Sequence, residues 1–357
     1  MPARQTRRGG DEHEAYERAS RTATKARTKI RPTHDDAVPG FVIGVDRGRY
    51  TLLLGENLPD ERTVIAMKAR ELARDRVVVG DRVAVVGDVS GAKDTLARIV
   101  RIAERTSVLR RTADDTDPYE RIIVTNADQL VIVTALANPE PRTGMIDRAV
   151  VAAYDAGVSV LLCLTKADLA PADELRGLYE PLGVDVVVTA TLSDPASVEA
   201  VRERLSGRIS VLLGHSGVGK STLVNALVPG AGRATGHVND VTGRGRHTST
   251  SVMALRLPSA MRDASSTTTG GWVIDTPGVR SLGLAHVEID NLLRAFDDLD
   301  DAAEECPRGC THLADSPDCA LDDWLSATVD PDLRAARMVR LDSFRRLLAS
   351  RTAMVAP

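Results

Sequence analysis

The chain has 357 residues, 43% hydrophobic and 27% charged, with a net charge of −4. That length suits two or three domains. The composition is that of an ordinary globular protein, and the near-balance of charge excludes a generic polyanion binder. No apolar run approaches the ~18 residues of a membrane-spanning helix, and the N-terminus lacks the apolar core of a signal peptide. A protein of the cytoplasm, without a membrane partner, is therefore expected. In chain order, residues 1–38 come first as a basic tail. It carries Arg4, Arg7, Arg8, Arg18, Arg21, Lys25, Arg27, Lys29 and Arg31 and almost nothing apolar, so it is expected to be disordered. Pro39-Gly40 marks a boundary. Residues 39–106 then offer short Val/Ile/Leu runs (FVIGVDRGRYTLLLG, TVIAMK, DRVAVVGDV, TLARIVRIA) broken by Gly, Asp and Asn. Five or so strands in that span predict a small all-β barrel of the OB type.

Residues 107–288 are expected to form the next domain, and from 121 the texture changes. Near-continuous apolar strands are expected within IIVTNADQLVIVTAL and at VSVLLCLT (158–165), VDVVVTA (184–190), ISVLLG (209–214) and GGWVIDT (270–276). Helical stretches such as Met145–Ala156 separate most of them, which predicts a parallel sheet covered on both faces, an α/β domain.

The stretch GHSGVGKST, 214–222, is a phosphate-binding loop set between a strand and a helix. Gly214, His215, Ser216, Gly217, Val218, Gly219, Lys220, Ser221 and Thr222 are its candidate nucleotide contacts. The glycines let backbone N–H groups wrap the phosphates, Lys220 reaches the outer ones, and the Ser221 hydroxyl is a magnesium ligand. In DTPG, Asp275 is expected at magnesium through water and Gly278 at the γ-phosphate. Upstream, Thr165-Lys166-Ala167-Asp168 is similar to a guanine-reading N-K-x-D, with Thr165 in place of asparagine. The Asp168 carboxylate would accept from the base and the Lys166 stem would stack on it. Thr189-Ala190 of TAT fits the turn whose backbone N–H meets the guanine O6. These base motifs precede the phosphate motifs, the reverse of the ordinary order, which is expected of a circularly permuted P-loop GTPase. The strand carrying DTPG then leads straight into the C-terminal domain, so its movement would pull on that domain.

Between the two phosphate motifs, VTGRGRHTSTSV (241–252) reads as a first switch. Thr248 and Thr250 are both candidates to complete magnesium coordination. Val279 follows DTPG and cannot orient water, so His247 is the candidate catalytic group. From 289 to 357 the chain is helical, Cys-rich, then helical again. Cys306, Cys310, His312 and Cys319 supply three thiolates and one imidazole within fourteen residues, a tetrahedral set expected to hold one structural Zn²⁺. Cys163, inside a strand, reads as a core residue.

These stretches together resemble one family, the circularly permuted ribosome-associated GTPases of the RsgA (YjeQ) type. The resemblance rests on GHSGVGKSTLVN, GRGRHTST, IDTPGVR, TKAD, NADQLVIV and CPRGCTH with Cys319. It implies an OB domain, a permuted GTPase and a zinc-binding helical domain, and it carries the family's catalytic histidine to His247. It also implies binding to the small ribosomal subunit and its rRNA, with GTP hydrolysis stimulated by that subunit during late maturation. The chain departs from the pattern at Thr165, in its cysteine spacing and in its longer basic tail. From the residues alone, the barrel, the tail and the Arg-rich last helix allow RNA binding. Two rival readings are a P-loop kinase or ATPase and an RNA-binding scaffold with a structural nucleotide. A monomer is the expected state.

Overall fold

The computed structural model describes residues 34–72, 74–112, 120–232, 252–258, 270–277, 279, 282, 284, 287 and 289–352. Residues from Asp36 on group as one compact unit. The tail assigned to 1–38 thus lies almost wholly outside the described residues, as does the first switch with His247, Thr248 and Thr250.

Strands β1 (Val38–Asp46), β2 (Arg49–Leu54), β3 (Arg62–Lys68), β4 (Arg82–Gly87) and β5 (Ala97–Ile102) form the expected barrel. β1 and β2 make a hairpin closed by Arg47 and Gly48, both at positive φ, the geometry that matches the twist of paired strands. β2 pairs with β3, β3 runs parallel to β5, β5 pairs with β4, and β4 returns to β1, so the ring closes. Alternate residues point inward: Val42, Leu52, Leu54, Val64, Val85 and Ile99 fill the interior.

A hairpin of β6 (Val108–Thr112) and β7 (Glu120–Thr125) comes next. The main sheet then takes β8 (Gln129–Ala135), β9 (Ser159–Thr165), β10 (Asp185–Val188), β11 (Ile209–Leu213), β12 (Met253–Arg256) and β13 (Trp272–Asp275) in the spatial order β10-β9-β8-β11-β13-β12. All neighbours are parallel except the β12–β13 pair. Successive residues face opposite sides: Leu130 and Ile132 enter one core, Val131 and Val133 the other. Both sides are covered, which is why the strands read as unbroken apolar runs. Helices α3 (Ser197–Leu205) and α4 (Lys220–Leu227) cover one face, and α1 (Thr143–Asp155) and α2 (Asp173–Tyr179) the other.

The C-terminal helices α5 (Ile289–Leu293), α6 (Asp297–Ala303), α7 (Ala320–Ser326) and α8 (Pro331–Thr352) share the core of α1 and α2. The Asp330 carboxylate caps α8 by accepting the N–H groups of Asp332 and Leu333, with Pro331 as first helical residue. Leu341, Phe344, Leu347 and Leu348 pack inward, and Phe344 meets Phe296 edge-on at 5.5 Å between ring centres. Arg346 pairs with the buried Asp147 of α1 at 3.3 Å, and Arg340 donates to the Pro181 carbonyl at 2.7 Å.

The barrel is fastened to the main sheet by polar groups. Asp81, fully buried, accepts two bonds from Arg105 (2.8 and 3.0 Å), one from the Thr125 hydroxyl (2.8 Å) and one from the Val78 N–H (2.8 Å). β1 meets β12 at Gly44 and Met253. The Trp272 indole donates to Glu56 at 2.7 Å, and Arg256 of β12 binds Glu61 and Asn57 of the barrel.

Candidate functional site

Parallel strands share a C-terminal edge, and four of the sequence motifs lie on it. TKAD ends β9, TAT follows β10, the phosphate loop follows β11, and Asp275 ends β13. β8 stands between the base-type motifs and the phosphate-type motifs. The connection after β8 runs to one face of the sheet and the one after β11 to the other. Such a switch point opens the crevice in which α/β sheets bind ligands.

The phosphate loop turns tightly. Gly217 and Gly219 adopt φ of +87° and +90°, and Gly219 caps α4 in a left-handed conformation that a side chain would strain. At Gly214 a Cβ would lie 2.6 Å from the Val133 carbonyl oxygen, so only glycine fits there. Lys220, Ser221 and Thr222 form the first turn of α4. The Lys220 ammonium pairs with Asp275, and both side chains are nearly buried. The Thr276 hydroxyl donates to the Leu212 carbonyl at 2.7 Å and fixes the start of DTPG against β11. Gly278 lies outside the described residues. Val279 is buried in an apolar crevice with Leu109, Val124, Val211, Leu213 and Leu282. It therefore anchors its segment and orients no water. His215 Nδ1 lies 2.9 Å from the Ser216 carbonyl, and its Nε2 is buried without a partner among the described residues.

Thr165 is buried at the end of β9. Its hydroxyl donates to the Val218 carbonyl at 2.6 Å and lies 3.2 Å from the Thr134 carbonyl. The base-type loop is thereby braced to the phosphate loop. Lys166, at φ +58°, extends its ammonium to the Asn138 carbonyl. Asp168 is exposed. The Ala167 N–H donates to the Thr189 carbonyl at 3.3 Å, joining TKAD to TAT. The Ala190 N–H, the group expected to face a guanine O6, donates to the Ser197 hydroxyl at 3.0 Å. Neither the Asn138–Pro139 segment nor Ser197 stood out in the sequence. The first lies in a polar loop and Ser197 at the start of α3, and only the fold brings them to this edge.

Cys306, Cys310, His312 and Cys319 present their ligand atoms within 4.8 Å of one another. His312 Nδ1 lies 3.6 Å from the Cys306 sulfur and 3.9 Å from that of Cys319, edge lengths that suit a tetrahedron of zinc ligands. Backbone N–H groups of His312 and Ala320 donate to the Cys310 and Cys306 sulfurs at 3.4 and 3.3 Å, the outer contacts that stabilise thiolates. Burial lowers the His312 pKa and so favours the neutral, ligating form. Arg345 of α8 donates to the His312 carbonyl at 3.1 Å and forms a two-pronged pair with Asp322 of α7. Any ion held here is closed off by four protein ligands, and its role would be structural. No helix among the described residues is long and apolar enough to cross a membrane.

A sequence profile described as RsgA GTPase matches residues 102–285. The small ribosomal subunit biogenesis GTPase RsgA of Ectopseudomonas mendocina (strain ymp) is 39% identical over 236 residues, which is 64% of this chain and 63% of that protein. The protein of the same name from Pseudomonas fluorescens (strain SBW25) is 36% identical over 281 residues, 77% of this chain and 75% of the relative. The chain thus spans slightly under two thirds of the first relative's length. The crystal structure of YjeQ from Thermotoga maritima, 24% identical, aligns with a TM-score of 0.58 over 87% of this chain and 99% of that one. That of YloQ, a circularly permuted GTPase, is 23% identical and aligns with a TM-score of 0.60 over 92% and 99%. Likeness at that identity is likeness of fold. The matched profile and the identity to the curated relatives place the chain in a family: it belongs to the RsgA GTPases.

Proposed function

We propose that this protein hydrolyses GTP to GDP and phosphate, and that it does so on the small ribosomal subunit during its late maturation, in the cytoplasm and as a monomer. The observation that carries the reading is the Thr165 hydroxyl bonded to the Val218 carbonyl, which fixes a base-type loop and a phosphate loop at one spacing. The ribosomal partner is supported by the name that the relatives carry.

In this reading the backbone N–H groups of 214–219 bind the phosphates. Lys220 leaves Asp275 for the outer phosphates, and Asp168 reads the purine edge beside Lys166. Ser221, Asp275 and one of Thr248 and Thr250 would hold magnesium, whose chemistry is to neutralise charge on the phosphates. His247 orients the attacking water, a role Val279 is too buried and apolar to share. Cys306, Cys310, His312 and Cys319 would hold one Zn²⁺, whose role in the C-terminal part would be structural.

The test is GTP turnover by the purified protein alone, with small subunits and with large subunits. Small subunits alone should stimulate, and His247→Ala should keep GDP binding while losing about 10²–10⁴-fold of the stimulated rate. Slow turnover that no subunit changes would reject the ribosomal partner. Competition by ADP as strong as by GDP would reject the guanine reading.

A further inference from the structure

The turn after β10 is held by one hydroxyl. Ser197, the first residue of α3, accepts the Ala190 N–H at 3.0 Å. It lies 2.9 Å from the Thr189 hydroxyl and donates to the Asp194 carbonyl at 2.6 Å. A serine oxygen has one proton to give and two lone pairs to receive. Here the proton goes to Asp194, one lone pair takes Ala190, and the other takes the Thr189 hydroxyl. The oxygen is fully used, and the groups around it span 189–197. The Asp194 N–H returns to the Ala190 carbonyl at 2.7 Å and closes the loop on itself. The same turn touches TKAD, because the Thr189 carbonyl accepts the Ala167 N–H.

Fixing a turn this way determines where its N–H groups point. An N–H aimed at a carbonyl oxygen is useful to a binding site only if its direction is set before the ligand arrives. We propose that Ser197 is the positioning residue of the base-reading turn: by taking up the Ala190 N–H and the Thr189 hydroxyl it aims the next N–H of the turn, that of Thr191, and sets how strongly the site reads a purine O6. It need not touch the base itself. This rests on the guanine reading of the site.

The experiment uses the full-length protein and titration calorimetry with four nucleotides. GDP and IDP carry O6, the diphosphate of 2-aminopurine riboside lacks O6 but keeps the exocyclic amine, and ADP lacks both features. Ser197→Ala should weaken GDP and IDP about 5- to 10-fold, the size of one neutral hydrogen bond, and leave the 2-aminopurine nucleotide unchanged. Ser197→Thr, which keeps the hydroxyl, should restore both. An unchanged preference for O6 in Ser197→Ala would overturn the proposal. So would an equal loss for all nucleotides, because that is the mark of a loosened fold rather than a misaimed donor. If the wild type itself bound ADP as well as GDP, the guanine reading would fall and this proposal with it. That result is read from the wild type alone and cannot be confused with a null effect of the substitution.

Discussion

Thr165 sits where the family resemblance leads one to expect asparagine, and its geometry explains how threonine serves. The hydroxyl spans from the end of β9 to the Val218 carbonyl, so an O–H makes the link between base loop and phosphate loop in place of an amide. Thr165→Val keeps the shape and removes the donor, leaving a carbonyl unpaired in a buried place. GDP affinity should fall about 5- to 10-fold in a fluorescence titration, with the melting temperature lowered and the fold retained. A GDP affinity equal to wild type would show that the brace does not serve the site. Single residues of this kind were partly legible. Gly214, Gly219 and Lys220 declare themselves by spacing, because the phosphate loop needs those residue types at those steps. Ser197 does not, because a serine at the start of a helix matches no binding pattern until the preceding turn closes around it. The buried Lys220–Asp275 pair was likewise invisible, since it depends on β11 and β13 being neighbours.

At the scale of elements, NADQ shows how a motif can be structural. Asn126, at φ +55°, turns the chain between β7 and β8. Its side chain donates to the Gly80 carbonyl at 2.8 Å and accepts the Thr106 N–H at 2.8 Å. The Asp128 carboxylate accepts the first N–H of β11 at 2.8 Å and pins the sheet's lower edge. Nearer the barrel, the buried Asp81 pairs with the partly exposed Arg105, and every lone pair of its carboxylate is in use. Asp81→Ala would strand Arg105 and should cost about 3–5 kcal/mol in urea unfolding, seen as a lower midpoint at constant slope. A cost below ~1 kcal/mol would mean that the pair only decorates the junction. The strands of the barrel and of the parallel sheet were legible, because a period of two and long apolar runs arise from little else than half-buried and fully buried strands. β6 and β12 were not. β6 carries two arginines, and β12 has only four residues, too short to show a period.

At the scale of the whole molecule, the core holds several groups that must stay neutral. Burial pushes the Tyr154 phenol from 10.0 up to about 12 and the Cys163 thiol from 9.0 up to about 12. Burial likewise raises Tyr179, with Asp147 adding to the shift. In each case the fold binds the proton more tightly than the unfolded chain does. Stability is therefore fully present below pH 9 and falls as the pH climbs from there toward 12, by about 1.4 kcal/mol for each unit by which a pKa is raised. Urea unfolding at pH 8.5 and at pH 10.5 should show the loss, and Tyr154→Phe should make it shallower. A flat profile across that window would contradict the burial of these groups. The feature with the widest reach is the junction of β1 with β12. β12 begins just after the first switch, and its partner β13 ends at Asp275. The barrel therefore shares a hydrogen-bonded ladder with the two strands that frame the phosphate end of the crevice, and Glu56, Asn57 and Glu61 hold it to their side chains. If exchange of the proposed nucleotide moved those strands by a fraction of an ångström, the barrel would tilt with them, as a short hub turns a long spoke, and the bearing of its outer surface would report which nucleotide is bound.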